Sequence, residues 1–202
     1  MVASQIITRG VRDPKTLAAM RAVPRHLFVP ARLAGEAHAD RPLPIGYGQT
    51  ISQPYIVAFM TEALGLKGGE TVLEVGAGSG YQSAVLSRIA ARVFGIEIVE
   101  PLAREAKERV ASLGYTNVEI RAGDGYAGWP EHAPFDAILV AAAAPRVPES
   151  LKQQLKDGGR LILPLGEHIQ ELKIVTRRGA TFEERSLLAV QFVPMTGEIR
   201  KD

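Results

Sequence analysis

Residues 71–81 read TVLEVGAGSGY. Apolar and β-branched positions lead into and flank Glu74, and glycines follow at alternate places: Gly76, Gly78 and Gly80. The pattern predicts a buried strand, a tight turn and then a helix over QSAVLSRIA. In a parallel α/β sheet such a turn lies at the carboxyl end of its strand, where ligands bind. Glycine has no Cβ, so a ligand can approach the backbone closely there.

Downstream the chain alternates. RVFGIEI reads as a second strand and PLAREAKERVASLG as a helix closed by glycine. NVEIRAGD is a third strand, and FDAILVAAAA a fourth, apolar as a strand covered on both faces should be. PESLKQQLKDGG predicts a helix stopped by its glycines, GRLILPLG a fifth strand, and ELKIVTRRG with FEERSLLAVQFVPM a terminal antiparallel hairpin. The expected class is α/β, a Rossmann-like, doubly wound and mostly parallel sheet. Upstream, Asp13-Pro14 caps a helix over KTLAAMRAV. Pro24 and Pro30 confine RHLFV to little more than a turn, and residues 41–53, RPLPIGYGQTISQ, read as an ordered loop. PYIVAFMTEALGL follows as an amphipathic helix that Ser52 or Gln53 could cap. One domain is expected over residues 1–202: a helical cap with an active-site loop over 1–69, and the doubly wound core over 70–202.

Composition narrows the function. The 202 residues are 46% hydrophobic and 23% charged, the balance of an ordinary globular protein. Cysteine is absent, which removes disulfides, thiolate metal sites and thiol nucleophiles together. The four histidines, His26, His38, His132 and His168, form no paired motif, so no metal is expected. A net charge of +2 with scattered basic residues argues against a nucleic-acid surface. No apolar run nears the ~20 residues of a membrane span, and the first residues lack a signal-peptide core. A cytoplasmic protein is expected.

The glycine spacing selects a cofactor. A dinucleotide fingerprint needs its third glycine at the sixth position, and counting from Gly76 that position is Tyr81. Gly80 comes one residue early, giving G-x-G-x-G behind the acidic Glu74. This is the methyltransferase variant, suited to S-adenosylmethionine (SAM), which has no phosphate but carries an ammonium that a carboxylate can anchor. No Gly-Lys-Ser/Thr follows, so a P-loop is excluded. Glu97, ending FGIE, is placed to accept from both ribose hydroxyls, a feature that alone would also suit NAD. Asp124, in RAGDG, is placed for the adenine amino group or its rim. Each carboxylate taken singly reads as well as a cap or a solvated residue. Three of them, after three successive strands, converge on one sheet edge.

Beyond the turn, the stretches VLEVGAGSGYQSAVLSRI, FDAILVAAAAPRVPESLKQQLKDGGRLILPLG and LPIGYGQTISQPYIVAFMTEAL resemble the protein-L-isoaspartate O-methyltransferase family, with GQTISQPY the most specific part. The resemblance runs from VPRHLFVP to QFVPMTG. It implies methyl transfer from SAM to the free α-carboxylate of L-isoaspartyl residues, with D-aspartyl residues a second candidate, in damaged peptides and proteins. The ester then collapses to a succinimide, and S-adenosylhomocysteine is the other product. The resemblance assigns Ser52 as the active-site hydroxyl, and Ile51, Gln53, Pro54 and Tyr55 as a wall shared by cofactor and substrate. Glu74, Gly76, Ala77, Gly78, Ser79 and Gly80 match the methionine-end cradle. Glu97 and Ile98 match the ribose side, Gly123, Asp124 and Gly125 the adenine rim, and Thr196 a position near cofactor and isoaspartate. The chain departs from the family pattern at His38, Ala141 and Arg146, which belong to the rim. A monomer is expected.

The chemistry is self-consistent. An α-carboxyl with pKa of about 3.5 is already ionised at pH 7, so no general base is needed. What remains is orientation and alignment, and a hydroxyl such as Ser52 can hold a carboxylate without quenching it. Ser52 as a plain helix cap is the competing reading. Among rival functions, an amino-group methyltransferase lacks support because AAAAPRVP offers no polar residue to receive an amine. A dehydrogenase is opposed by Tyr81. A SAM enzyme acting on another carboxylate or small substrate, or a SAM-binding module without turnover, stays open.

Overall fold

The computed structural model describes residues 1–201. Short helical turns lead to α1 (Pro14–Ala22), capped by Asp13, whose carboxylate accepts from Thr16 N at 2.7 Å. Then come β1 (Leu43–Gly46), β2 (Gln49–Ile51), α2 (Pro54–Leu64), β3 (Thr71–Val75), α3 (Tyr81–Ser87), β4 (Arg92–Glu97), α4 (Glu100–Ser112) and β5 (Val118–Ala122). The chain continues through β6 (Phe135–Val140), α5 (Glu149–Gln153), β7 (Leu155–Leu165), β8 (Gln170–Arg178) and β9 (Thr181–Val190). No helix among the described residues is long and apolar enough to cross a membrane.

The main sheet has the order β5-β4-β3-β6-β7-β8-β9. Strands β5 to β7 pair in parallel, and β8 and β9 add antiparallel at one edge. From β3 the chain winds outward through β4 and β5, then returns to β6 on β3's other side. The crevice at a doubly wound sheet's switch point therefore opens beyond β3, between β4 and β6. Successive residues of each strand point to opposite faces. Val72, Val93, Ala137, Leu139 and Ile162 bury one face with residues of α1 to α4. Leu73, Val75, Phe94, Ile138 and Leu161 bury the other with Trp129, Leu151 of α5 and Met195.

Two expectations need correction. The predicted helix over PESLKQQLKDGG ends at Gln153, and LKDGG belongs to β7. Leu155 is fully buried and already opposite Phe135, while Arg160 is opposite Ala137, so residues 156–159 bulge out of the ladder. Gly159 fits because a Cβ there would lie 2.8 Å from Lys156 O. The glycines therefore shape a bulge instead of stopping a helix. The second correction concerns residues 41–53, where a two-stranded antiparallel hairpin, β1–β2, replaces the expected loop. Leu43, Ile45 and Ile51 are its buried positions.

The N-terminal segment is moored to the core through Tyr81. The Phe28 ring meets Tyr81 edge-on at 5.5 Å, and the buried Arg25 guanidinium lies 4.8 Å from its centroid. Burial pushes the Tyr81 hydroxyl up to about 12.

Candidate active site

The glycine turn forms because β3 ends against its neighbours. Gly76 N and Ala77 N both donate to Ile96 O, at 2.8 and 3.0 Å, which bends the chain across the end of β4. Gly76 adopts φ 86°, a left-handed conformation that favours glycine. The turn forms the back of a cleft of about 890 Å³, counted to its open mouth. That is the size of a site for one extended small molecule.

Glu97 is 4% exposed and fixed on both oxygens: Oε2 accepts from Gly78 N at 2.8 Å, Oε1 from Val99 N at 2.9 Å. Each oxygen keeps acceptor capacity. Glu74 lies deeper, with no exposure at all. Ser83 Oγ donates to its Oε2, but Oε1 has no partner. Burial, helped by the like charge of Glu97, drives the Glu74 carboxyl up to about 8 against the pull of the Ser83 hydrogen bond. A fully buried carboxylate oxygen without a donor is costly, so this floor is built for a cation or a donor. The cleft lining contains no Lys, Arg or His. A pyrophosphate would meet two acidic side chains, and the N–H groups of Gly76, Ala77, Gly78 and Gly80 are already committed to Ile96 O, Glu97 and Ala77 O. SAM, with an ammonium and a ribose and no phosphate, fits these groups.

The expected residues separate into two sets. Ile51, Ser52, Glu74, Gly76, Ala77, Gly78, Ser79, Glu97, Ile98, Gly125 and Thr196 all line the cleft. Gln53, Pro54, Tyr55, Gly80, Gly123 and Asp124 do not. Gln53 is the first-turn boundary of α2, and its amide donates to Asp40 O at 3.0 Å. Pro54 opens α2, and the Tyr55 ring lies beneath the Arg9 guanidinium, 3.6 Å from its carbon. Gly80 faces α4 instead. Asp124 accepts from Tyr126 N at 2.9 Å and Glu198 N at 2.7 Å, tying the C-terminal segment down. Neither Ser52 nor Gln53 caps α2 with its side chain. Ser52 has no hydrogen-bond partner among the described residues, so its hydroxyl is available to the cleft.

Several lining residues carried no readable motif. Gln49 and Thr50 come from the unforeseen hairpin, and Val57, Met60 and Gln82 from helix faces that read as core. Val193, Pro194 and Met195 belong to a tail that docks beside β6: Ala143 N donates to Val193 O and Met195 N to Ala143 O, both at 2.8 Å. The FVPM run is expected from sequence as the end of a strand and as part of the resemblance that reaches Thr196; β9 stops at Val190 instead. Of the departures, Ala141 lines the cleft, donating its N–H to Val75 O at 2.8 Å. His38 stands outside it, its ring 6.0 Å from that of His26.

A model of the protein-L-isoaspartate(D-aspartate) O-methyltransferase family matches residues 1–200. The chain belongs to this family. Protein-L-isoaspartate O-methyltransferase 2 of Shewanella sediminis is 57% identical over 204 residues, covering 100% of this chain and 84% of the relative. The Methylorubrum extorquens protein-L-isoaspartate O-methyltransferase is 58% identical over 197 residues, covering 96% and 86%. A solved protein-L-isoaspartate O-methyltransferase superposes with TM-score 0.87 at 32% identity, over 96% of this chain, which spans 64% of that one. A Plasmodium falciparum protein-L-isoaspartate O-methyltransferase, solved with S-adenosyl-L-homocysteine, gives TM-score 0.85 at 27% identity and covers 96% of both chains. Membership in this family makes the chain a SAM-dependent methyltransferase.

Proposed function

We propose that this protein methylates the free α-carboxylate of L-isoaspartyl residues in damaged peptides and proteins, with SAM as methyl donor. The observation that carries the reading is one cleft in which the unpartnered Ser52 hydroxyl shares the lining with two carboxylates and no basic side chain. When bound, the cofactor supplies an electrophilic methyl group on a positively charged sulfur. The protein's part is to hold and orient. Glu97 takes the ribose hydroxyls on the acceptor positions left by Gly78 N and Val99 N. Glu74 Oε1, which no donor among the described residues reaches, would hold the ammonium. The acceptor carboxylate arrives ionised, so no residue needs to remove a proton. Ser52 donates one hydrogen bond to it, and Thr196 stands in the same cleft wall. The absence of a cation from the lining keeps the nucleophile from being paired off before transfer. The protein works as a monomer on peptide substrates and has no nucleic-acid partner in this reading.

The test is incubation with methyl-labelled SAM and an isoaspartyl peptide beside its aspartyl twin. Base-labile label on the isoaspartyl peptide alone is expected. Label on both, on neither, or in a base-stable form refutes the proposal.

A further inference from the structure

One face of α4 reaches two parts of the cleft, the glycine turn and the β1–β2 hairpin. Arg109 Nη1 donates to the carbonyl of Ser79, inside the glycine turn, at 2.9 Å. Beside it Gly80 lies so close to the helix that a Cβ would stand 3.0 Å from Val110 Cγ1 and 3.6 Å from Ala106 Cβ. On the other side the Tyr47 hydroxyl, at the tip of the β1–β2 hairpin, donates to Glu105 Oε1 at 3.0 Å. The hairpin in turn lies on the glycine turn, since a Cβ on Gly78 would be 3.3 Å from Ile45 Cδ1. Positions 105 and 109, and likewise 106 and 110, are i,i+4 neighbours on adjacent stripes of the helix. Leu102, Ala106 and Val110 bury the helix, and Glu105 and Arg109 are only partly covered. Neither Glu105 nor Arg109 lines the cleft.

Tyr47 makes this arrangement more than a chance contact. Among the described residues it is the sole non-glycine with positive φ, at 52°, and its side chain is largely exposed. Side chains rarely adopt that conformation, and it persists where the surroundings determine it. Here it delivers the hydroxyl to Glu105 across the tip of the hairpin.

We infer that Glu105 and Arg109 are positioning residues of the cofactor cleft, setting its width by tying the glycine turn and the hairpin to the same helix. The inference rests on the reading of the cleft as the SAM site. Since α4 starts three residues after Glu97, the helix also carries the ribose carboxylate at its entry. The three parts of the cradle thus share one rigid support. The bland alternative is that Arg109 merely stabilises a turn and that Tyr47–Glu105 is an idle surface contact.

Arg109→Ala, Arg109→Lys and Tyr47→Phe, beside the unaltered protein, separate these readings through titration with S-adenosylhomocysteine and its dissociation rate. Steady-state kinetics with SAM and an isoaspartyl peptide, and hydrogen exchange of the Gly80 amide in ligand-free protein, complete the set. That amide donates to Ala77 O at 2.8 Å, so its protection reports the turn directly. Arg109→Ala should raise the Kd for S-adenosylhomocysteine about ten-fold, the equivalent of one good hydrogen bond. It should also weaken Gly80 protection and leave kcat at saturating SAM within about two-fold of the parent. Arg109→Lys, which keeps a donor, should recover part of the affinity. Tyr47→Phe removes one hydroxyl from an exposed ring, spares the fold, and should speed dissociation about five-fold. Wild-type Kd in Arg109→Ala overturns the role of Arg109, and a wild-type dissociation rate in Tyr47→Phe overturns that of Glu105. Lost binding stoichiometry at unchanged Kd in Arg109→Ala also overturns it, because only the folded fraction has then changed. An unaltered protein that fails to bind S-adenosylhomocysteine refutes the assignment of the cleft itself.

Discussion

Glu74 should write its protonation state into the stability of the protein. The unfolded chain ionises this carboxyl near its ordinary value of 4.5, whereas burial holds the folded group to about 8. Between those values the folded state binds a proton that the unfolded state does not. Stability from this group is therefore fully present below about pH 4.5, falls as pH rises through the window, and levels off above about pH 8. The slope is at most about 1.4 kcal/mol per pH unit. From pH 5.5 to 7.5 that is a loss of about 3 kcal/mol, a large share of a typical folding free energy. Glu74→Gln keeps an acceptor for Ser83 Oγ and cannot titrate. Urea denaturation of both proteins at pH 5.5, 6.5 and 7.5, without cofactor, reads the effect as a difference in which groups not coupled to residue 74 cancel, and the like charge of Glu97 counts as part of the effect. The gap between the two curves should shift in favour of Glu74→Gln as pH rises. Curves that stay parallel within about 0.5 kcal/mol would refute the argument, showing that the floor of the cleft admits enough water to solvate the carboxylate.

Two further outcomes follow from the cleft. Ser52→Ala should lower turnover far more than it weakens S-adenosylhomocysteine binding, and Glu97→Ala should do the reverse; equilibrium titration beside kcat checks both, and collapse of cofactor affinity in the Ser52 variant would be decisive against it. Gly125→Ala would push a methyl into Val75 Cγ1 behind the turn. Overpacking of this kind should cost about 1–3 kcal/mol in chemical denaturation, and unchanged stability would mean that Val75 and the loop yield freely.

The parts of this fold that were legible in the sequence are those set by local rules. Strand periodicity, the Asp13 cap and the glycines after β3 each depend on neighbours along the chain, and the structure follows them. The failures share a different cause. The hairpin at residues 43–51 was hidden because its few apolar positions are diluted by Pro44, Gly46 and Gly48. The end of α5 is decided by Leu155 pairing with Phe135 across the sheet, which outweighs a helix-like pattern. Of the expected residues, Glu74, Glu97 and Ser52 reach the cleft lining from motifs whose position at strand ends or loop was legible. Gly80 was read as part of the cradle, yet its closeness to Val110 is a packing matter visible only once α4 is in place. The Val193–Met195 wall was marked only through the resemblance around Thr196, since its place arises from docking against Ala143, fifty residues away in sequence.

That docked tail makes the cleft depend on a segment that belongs to no strand of the sheet. The glycine turn, Glu97 and Gly125 are brought together by the parallel strands β3, β4 and β5 and the loops that follow them. The opposite wall is closed by residues that follow the last strand, fastened by Ala143 and by Asp124 through Glu198 N. The sheet can therefore be complete while the site is not, because the cleft loses a wall wherever residues 193–196 leave their place beside β6.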